Sequence, residues 1–169
     1  MHKNGGIAMF CYKKASLEDL ETIWDRSIRD NPEDPRYIRW KKQFIDDNLS
    51  GAAATFVVTM DREPVGEGTL LFSPGCRAIR ERTCLADGKT IANINALRIQ
   101  PQYEGQGHIS KLLKEMERYA KRIGITRLTI GVEASETRNL GIYLHLGYDI
   151  FLMHEIEDSE LVLYYGKNL

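Results

Sequence analysis

The sequence predicts one mixed α/β domain, with a central, mainly antiparallel sheet flanked by helices in the order βααβββαβαββ. Three observations lead there. The 169 residues suit a single core that buries about two thirds of the unfolded surface. Apolar periodicity switches repeatedly between strand-like and helix-like spacing. A strand, helix, strand step over residues 90–132 calls for a right-handed crossover, so its two strands run parallel within the sheet.

Residues 7–14 form an opening strand, and Ser16 is placed to cap a helix whose first turn carries Glu18 and Asp19. Leu17, Leu20, Ile23, Trp24 and Ile28 then recur at helical spacing. Asp34-Pro35 opens a second helix with proline at its first position, and Ile38, Lys41, Ile45 and Leu49 continue a stripe toward Gly51. Residues 55–60 and 65–72 read as a hairpin across Asp61-Arg62-Glu63-Pro64. Residues 74–89 are a long irregular connection ending in Asp87-Gly88, ahead of a strand over 90–99.

After Pro101, Ile109, Leu112, Leu113, Met116, Ala120 and Ile123 share one helical face, and Gly124 stops the helix. Residues 127–132 form a strand. Ser135 caps a shorter helix that runs to Leu146 and stops at Gly147, and residues 148–156 and 161–165 close as strands. No repeat or linker marks a second domain, so residues 1–169 read as one unit.

Composition narrows the function classes. Hydrophobic residues at 43% and charged residues at 28% fit a globular chain, and no apolar run reaches the roughly 20 residues of a membrane span. Residues 1–9 lack the apolar core of a secretory signal, which points to a cytoplasmic protein. Net charge is −1 with the signs interleaved, which excludes the basic field of a nucleic-acid binder and favours a small-molecule or peptide partner. Cys11, Cys76 and Cys84 form no metal-type spacing and leave one thiol over under any disulfide scheme.

The chemistry concentrates where Leu97, Arg98 and Ile99 leave a strand and Gly105-Gln106-Gly107 leads into a helix. Glycines let the backbone approach a ligand, and a helix N-terminus adds partial positive charge, so this junction suits a diphosphate. A plain glycine turn is the competing reading. A dinucleotide-binding fingerprint needs Gly or Ala where Ser110 stands, and Gly88-Lys89-Thr90 lacks the earlier glycine of a P-loop because Thr83 occupies that position.

This junction, together with the later Asn139-Leu140-Gly141-Ile142-Tyr143-Leu144-His145-Leu146-Gly147-Tyr148, resembles the two signature segments of GNAT superfamily N-acetyltransferases. The resemblance implies that the parallel strands splay apart and that acetyl-coenzyme A is the cosubstrate, with no metal. It assigns the pantetheine arm to the backbone of Leu97, Arg98 and Ile99. The diphosphate falls to Gly105, Gln106, Gly107, His108, Ile109 and Ser110, with Asn139 as a further coenzyme contact. Tyr143 is the expected acid for the departing thiolate, against the plainer reading of a core aromatic.

The sequence also departs from that pattern. Fixing the register on Leu112-Leu113 puts Glu104 where the family usually has Arg or Gln, so the Gln102-x-x-Gly105-x-Gly107 match is out of register. Ile109 replaces a small residue and His108 an aliphatic one, while Lys111, Lys114 or Arg138 would offset the charge of Glu104. Asn93 and Asn95 stand where a strand carboxylate often accepts the amine proton. Glu67, between two glycines on a strand expected to face the cleft, is the substitute base, with an ion-paired structural Glu as the competing reading. Glu133 and Asn95 are the expected substrate contacts. His145 and His108 are weaker candidates, and His154 reads as structural.

The expected function is acetyl transfer to an amine of a small molecule or peptide. The alternative from another class is a non-catalytic coenzyme A-binding or acyl-sensing module, and a third reading is a structural relative whose coenzyme site is filled by Ile109. An exposed edge among the last strands would allow a homodimer.

Overall fold

The computed structural model describes residues 7–169, so residues 1–6 of the stretch read for a targeting signal lie outside the described residues. The elements are β1 (Phe10–Lys14), α1 (Leu17–Asp30), α2 (Arg36–Ser50), β2 (Ala53–Met60), β3 (Glu63–Leu71), β4 (Ile91–Ile99), α3 (His108–Arg122), β5 (Arg127–Glu133), α4 (Thr137–His145), β6 (Ile150–Glu157) and β7 (Glu160–Asn168). Their order is the one the periodicity predicts. The seven strands form one sheet, β1-β2-β3-β4-β5-β7-β6, in which every pairing is antiparallel except β4 with β5.

Local chemistry explains most boundaries. The Ser16 hydroxyl accepts the Asp19 N–H at 3.1 Å and the Asp19 carboxylate accepts the Ser16 N–H at 2.9 Å, a reciprocal cap that fixes the start of α1. The β2–β3 turn takes positive φ at Asp61 and Arg62, the geometry of a tight hairpin. Gly147, at φ 93°, turns the chain out of α4.

Five expectations need correction. The opening strand starts at Phe10, and Ile7 is exposed. Helix α2 starts one residue late, with Pro35 as its cap, although the Asp34 carboxylate still takes the Arg36 N–H at 3.0 Å. Its inward face is also rotated: Ile38 and Leu49 are 61% and 71% exposed, while Phe44 packs on Trp24 with ring centroids 4.9 Å apart. The larger aromatic rings gain more from burial than the aliphatic stripe would. Ser135 does not cap α4, which follows Glu136 without a side-chain cap, and Ile123 lies beyond the end of α3, exposed.

Two cores lie on opposite sheet faces. Leu112, Leu113, Met116 and Ala120 of α3 pack on Ala54, Phe56, Leu70 and Ile94 of the sheet. On the other face the 74–89 connection brings Cys76, Ile79, Leu85 and Ala86 against Ala53, Leu71 and Tyr164. The connection that looks irregular in sequence is therefore a second packing layer. Among the described residues no helix is long and apolar enough to cross a membrane.

Candidate active site

Strands β4 and β5 pair only from Ile91↔Arg127 to Ile94↔Ile130. Beyond that point β4 stays with β3 as far as Ile99, and β5 stays with β7 as far as Glu133. The strands thus diverge, and from Asn95 onward the β5-facing edge of β4 has no strand partner. A bulge sits at the same place, where Ala96 and Leu97 stand opposite Gly68 and Ala96 adopts φ 51°. Such a conformation in a residue with a side chain persists only where its surroundings over-determine it. Gly68 is part of those surroundings, because a Cβ there would lie 2.9 Å from both Leu97 Cδ1 and Met116 Sδ.

The divergence opens a slot of about 490 Å³ bordered by Asn95, Ala96, Glu133, Asn139, Tyr143 and Glu157. It adjoins a cavity of about 940 Å³ bordered by Leu97, Arg98, Ile99, Gly105, Gly107, His108, Ile109, Ser110, Asn139 and Tyr143. Of the expected coenzyme residues, Gln106 alone is not on that wall. Its side chain turns back, with Nε2 donating to the Gln102 carbonyl at 3.2 Å.

The mouth of α3 is built from backbone. Gly105 and Gly107 take φ 73° and 82°, and open space lies where a Cβ would stand at either. Among the described residues, no protein group accepts a hydrogen bond from the amides of residues 105–110, and the next amide, of Lys111, donates to the Gly107 carbonyl at 3.2 Å. Six consecutive free N–H groups at a helix N-terminus match the needs of a diphosphate. Ile109 is partly buried against the core and also borders this cavity. Glu104 and Arg138 both border the cavity, so a cation shares its wall with the acidic departure.

His108 is buried at the same mouth. Its ring packs at a tilt on Phe10, with centroids 4.2 Å apart, and Nδ1 lies 2.7 Å from the Tyr12 hydroxyl. Burial, and then Lys111, holds its pKa below the ordinary value. Tyr143 borders both the slot and the larger cavity, and its hydroxyl has no hydrogen-bond partner among the described residues. Burial, helped by Glu136, pushes the phenol up to about 12, which keeps it a proton donor at neutral pH.

Against known proteins, the sequence matches the profile of the acetyltransferase (GNAT) family over residues 17–148. The chain belongs to the GNAT acetyltransferase family. An IAA acetyltransferase from Bacillus cereus ATCC 14579 superposes with a TM-score of 0.61 at 18% identity, covering 95% of this chain and 100% of that one. The PaiA N-acetyltransferase from Thermoplasma acidophilum in complex with coenzyme A gives 0.63 at 18% identity, over 95% and 99% of the chains. A chimera of the spermidine N-acetyltransferase SpeG from Vibrio cholerae and hSSAT gives 0.69 at 14% identity, over 94% of each. At these identities the likeness establishes the fold. A comparison with curated protein sequences finds no significant match.

In this GNAT chain Glu67 is set apart from the slot. It is 1% exposed, its Oε1 accepts Arg98 Nε at 2.5 Å, and its Oε2 has no partner among the described residues. It borders a separate cavity of about 170 Å³ beneath α1 rather than the space that Tyr143 faces. Burial raises its pKa, and Arg98 opposes that rise. Asn93 and Asn95 both border the slot, but Asn93 is tied back, with Nδ2 donating to Thr129 Oγ1 at 2.9 Å. Glu133 is exposed at the rim of the slot, His145 lines the cavity of about 940 Å³, and His154 stacks on Phe151 out on β6.

Sequence reasoning missed a further cavity of about 650 Å³, which shares Asn95, Ala96 and Glu157 with the slot. Its walls include Trp24, Tyr37, Trp40, Phe44 and Asp47. The available signal was the spacing of Tyr37, Trp40, Phe44 and Asp47, which puts all four on one face of α2. Glu157 was also missed. It joins Arg80 at 2.9 Å, Arg82 at 2.9 Å and the Tyr164 hydroxyl, and these partners overcome its burial to hold the carboxyl below its ordinary value.

Proposed function

We propose that this protein is a cytoplasmic N-acetyltransferase that moves an acetyl group directly from acetyl-coenzyme A to a primary amine of a small molecule or peptide. The observation that carries this reading is the free Tyr143 hydroxyl at the junction of the cradle cavity and the slot. Coenzyme A, when bound, supplies the activated thioester. The amides of residues 105–110 would hold its diphosphate, and the unpaired edge of β4 its arm. Backbone donors at the Ala96 bulge would stabilise the carbonyl oxygen as negative charge develops on it.

The amine nitrogen forms the new bond to the carbonyl carbon as the carbon–sulfur bond breaks. Tyr143 gives its proton to the departing sulfur, and water in the open cavity of about 650 Å³, the acceptor cavity of this reading, takes the proton from the amine. In this proposal Glu67 is a positioning residue rather than the base. It fixes Arg98, which borders the coenzyme cavity, the acceptor cavity and the small cavity beneath α1. The likeness to a spermidine N-acetyltransferase chimera supports an amine acceptor. The homodimer remains a proposal too, supported by the outer position of β6 with Phe151 and Ile156 exposed.

The burial of Glu67 favours one alternative, a coenzyme A-binding or acyl-sensing module without turnover. Calorimetric titration with acetyl-coenzyme A tests the site first, using wild type, Tyr143→Phe and Gly107→Trp. Binding that survives Tyr143→Phe and fails in Gly107→Trp is expected. Release of free thiol with an amine present then separates enzyme from module. Absence of wild-type binding would refute both readings.

A further inference from the structure

The acceptor cavity carries charges that its own walls leave unanswered. Arg36 is held by Asp34 at 2.8 Å, Arg98 by Glu67 at 2.5 Å and Arg80 by Glu157 at 2.9 Å. Among the described residues, that leaves Arg77 as the cation without an ion-pair partner on the cavity wall. Against it stand the carboxylates of Asp47 and Asp158, with Glu133 and Glu136 along the adjoining slot. The joined space therefore favours positive charge.

Asp47 is the most informative of these. It is half-buried and makes no hydrogen bond or ion pair through its side chain among the described residues. Burial, and then Asp46, raises its carboxyl above the ordinary value, the condition of a carboxylate short of a cation. It shares a face of α2 with Phe44 and Trp40, and Trp24 packs on Phe44 across the same cavity. Arg36 and Arg98 already lie over the Trp40 and Trp24 rings, at 5.2 and 5.4 Å, so the unpaired Asp47 carboxylate is the group on this wall that would take an ammonium.

We propose that the acceptor is a diamine or polyamine, its reacting nitrogen in the slot beside Asn95 and its distal ammonium against Asp47 and the aromatic wall of α2. This rests on the transferase reading above and narrows its substrate class. The aromatic walls between the two ends suit a methylene spacer. A volume of about 650 Å³ leaves room for chains longer than a short diamine.

The test compares acetylation of cadaverine, pentylamine and aminohexanoate by wild type, Asp47→Asn and Asp47→Glu, alongside calorimetric titration of each amine. Wild type is expected to prefer cadaverine over pentylamine by roughly tenfold in kcat/KM, mostly through KM. Asp47→Asn should erase that preference while leaving pentylamine unchanged, and Asp47→Glu should restore part of it. Equal use of cadaverine and pentylamine, equal loss of both in Asp47→Asn, or preference for aminohexanoate through Arg77 would overturn the proposal. If no amine is acetylated, Asp47-dependent heat from cadaverine still supports the recognition site while the transferase reading falls, and absence of that heat refutes the site.

Discussion

Nε of Arg98 lies 2.5 Å from Oε1 of Glu67, a link between β4 and β3 in which the guanidinium is 43% exposed and the carboxylate 1%. The two partners therefore meet solvent very differently. Glu67 keeps a raised pKa despite the cation because its burial outweighs the pairing. Between the ordinary carboxylate range and that raised value the native state retains a proton that the unfolded state has shed. Stability contributed by this group is thus present at acid pH and lost as pH rises through the window. Glu67→Gln should gain thermal stability relative to wild type as pH climbs from acid to neutral, read from melting curves at several pH values. A pH-independent difference would show that Arg98 offsets the burial in full.

His108 works in the opposite sense. Its depressed pKa means the folded state resists protonation beside Phe10 and Tyr12, so its contribution is complete above the ordinary histidine pKa and is lost as pH falls through the folded value. Wild type should lose melting temperature between neutral and mildly acidic pH, and His108→Gln should flatten that slope.

Gly131 stands just past the point where β5 leaves β4, and a Cβ there would lie 2.7 Å from the Tyr164 ring. That ring is held by its hydroxyl on Glu157, which leaves it little freedom to move. Gly131→Ala should destabilise the fold by about 1–3 kcal/mol through overpacking. Urea unfolding measures it, and an unchanged midpoint would show that Tyr164 yields.

Tyr143→Phe should lower kcat by roughly 10²–10⁴ with the coenzyme dissociation constant unchanged. With the phenol held up to about 12, its ionisation lies above any practical assay range. The alkaline side of the pH–rate profile should therefore keep its shape in the variant. A descending limb that disappears with Tyr143 would contradict this assignment.

The element order and the glycine turn into α3 were legible because both are local. Period, caps and glycine spacing lie within a few residues of each other, and the crossover sets β4 and β5 parallel. What stayed hidden is contact across long sequence separations. Glu67 meets Arg98 on a neighbouring strand, which turned an expected base into a buried ion pair. Ile38 and Leu49 competed with Tyr37, Trp40 and Phe44 for the inner face of α2, and only packing against Trp24 decided the rotation. The acceptor cavity draws on α1, α2, the 74–89 connection and the β6–β7 turn together, so no single segment announces it.

The open edge of β4 acts as a gauge of thickness. An edge strand at the rim of a sheet invites any polypeptide to pair with it. Here the bare peptide groups lie at the inside of a wedge that closes at Ile94 and Ile130, with Tyr143 bordering the opening. A β-strand carries branches on alternate sides and needs a full inter-strand spacing, so the narrow end excludes it. An unbranched chain of single-bond thickness meets no such obstacle. The fold thus exposes hydrogen-bonding backbone in mid-sheet while refusing the partner that would make such exposure an aggregation hazard.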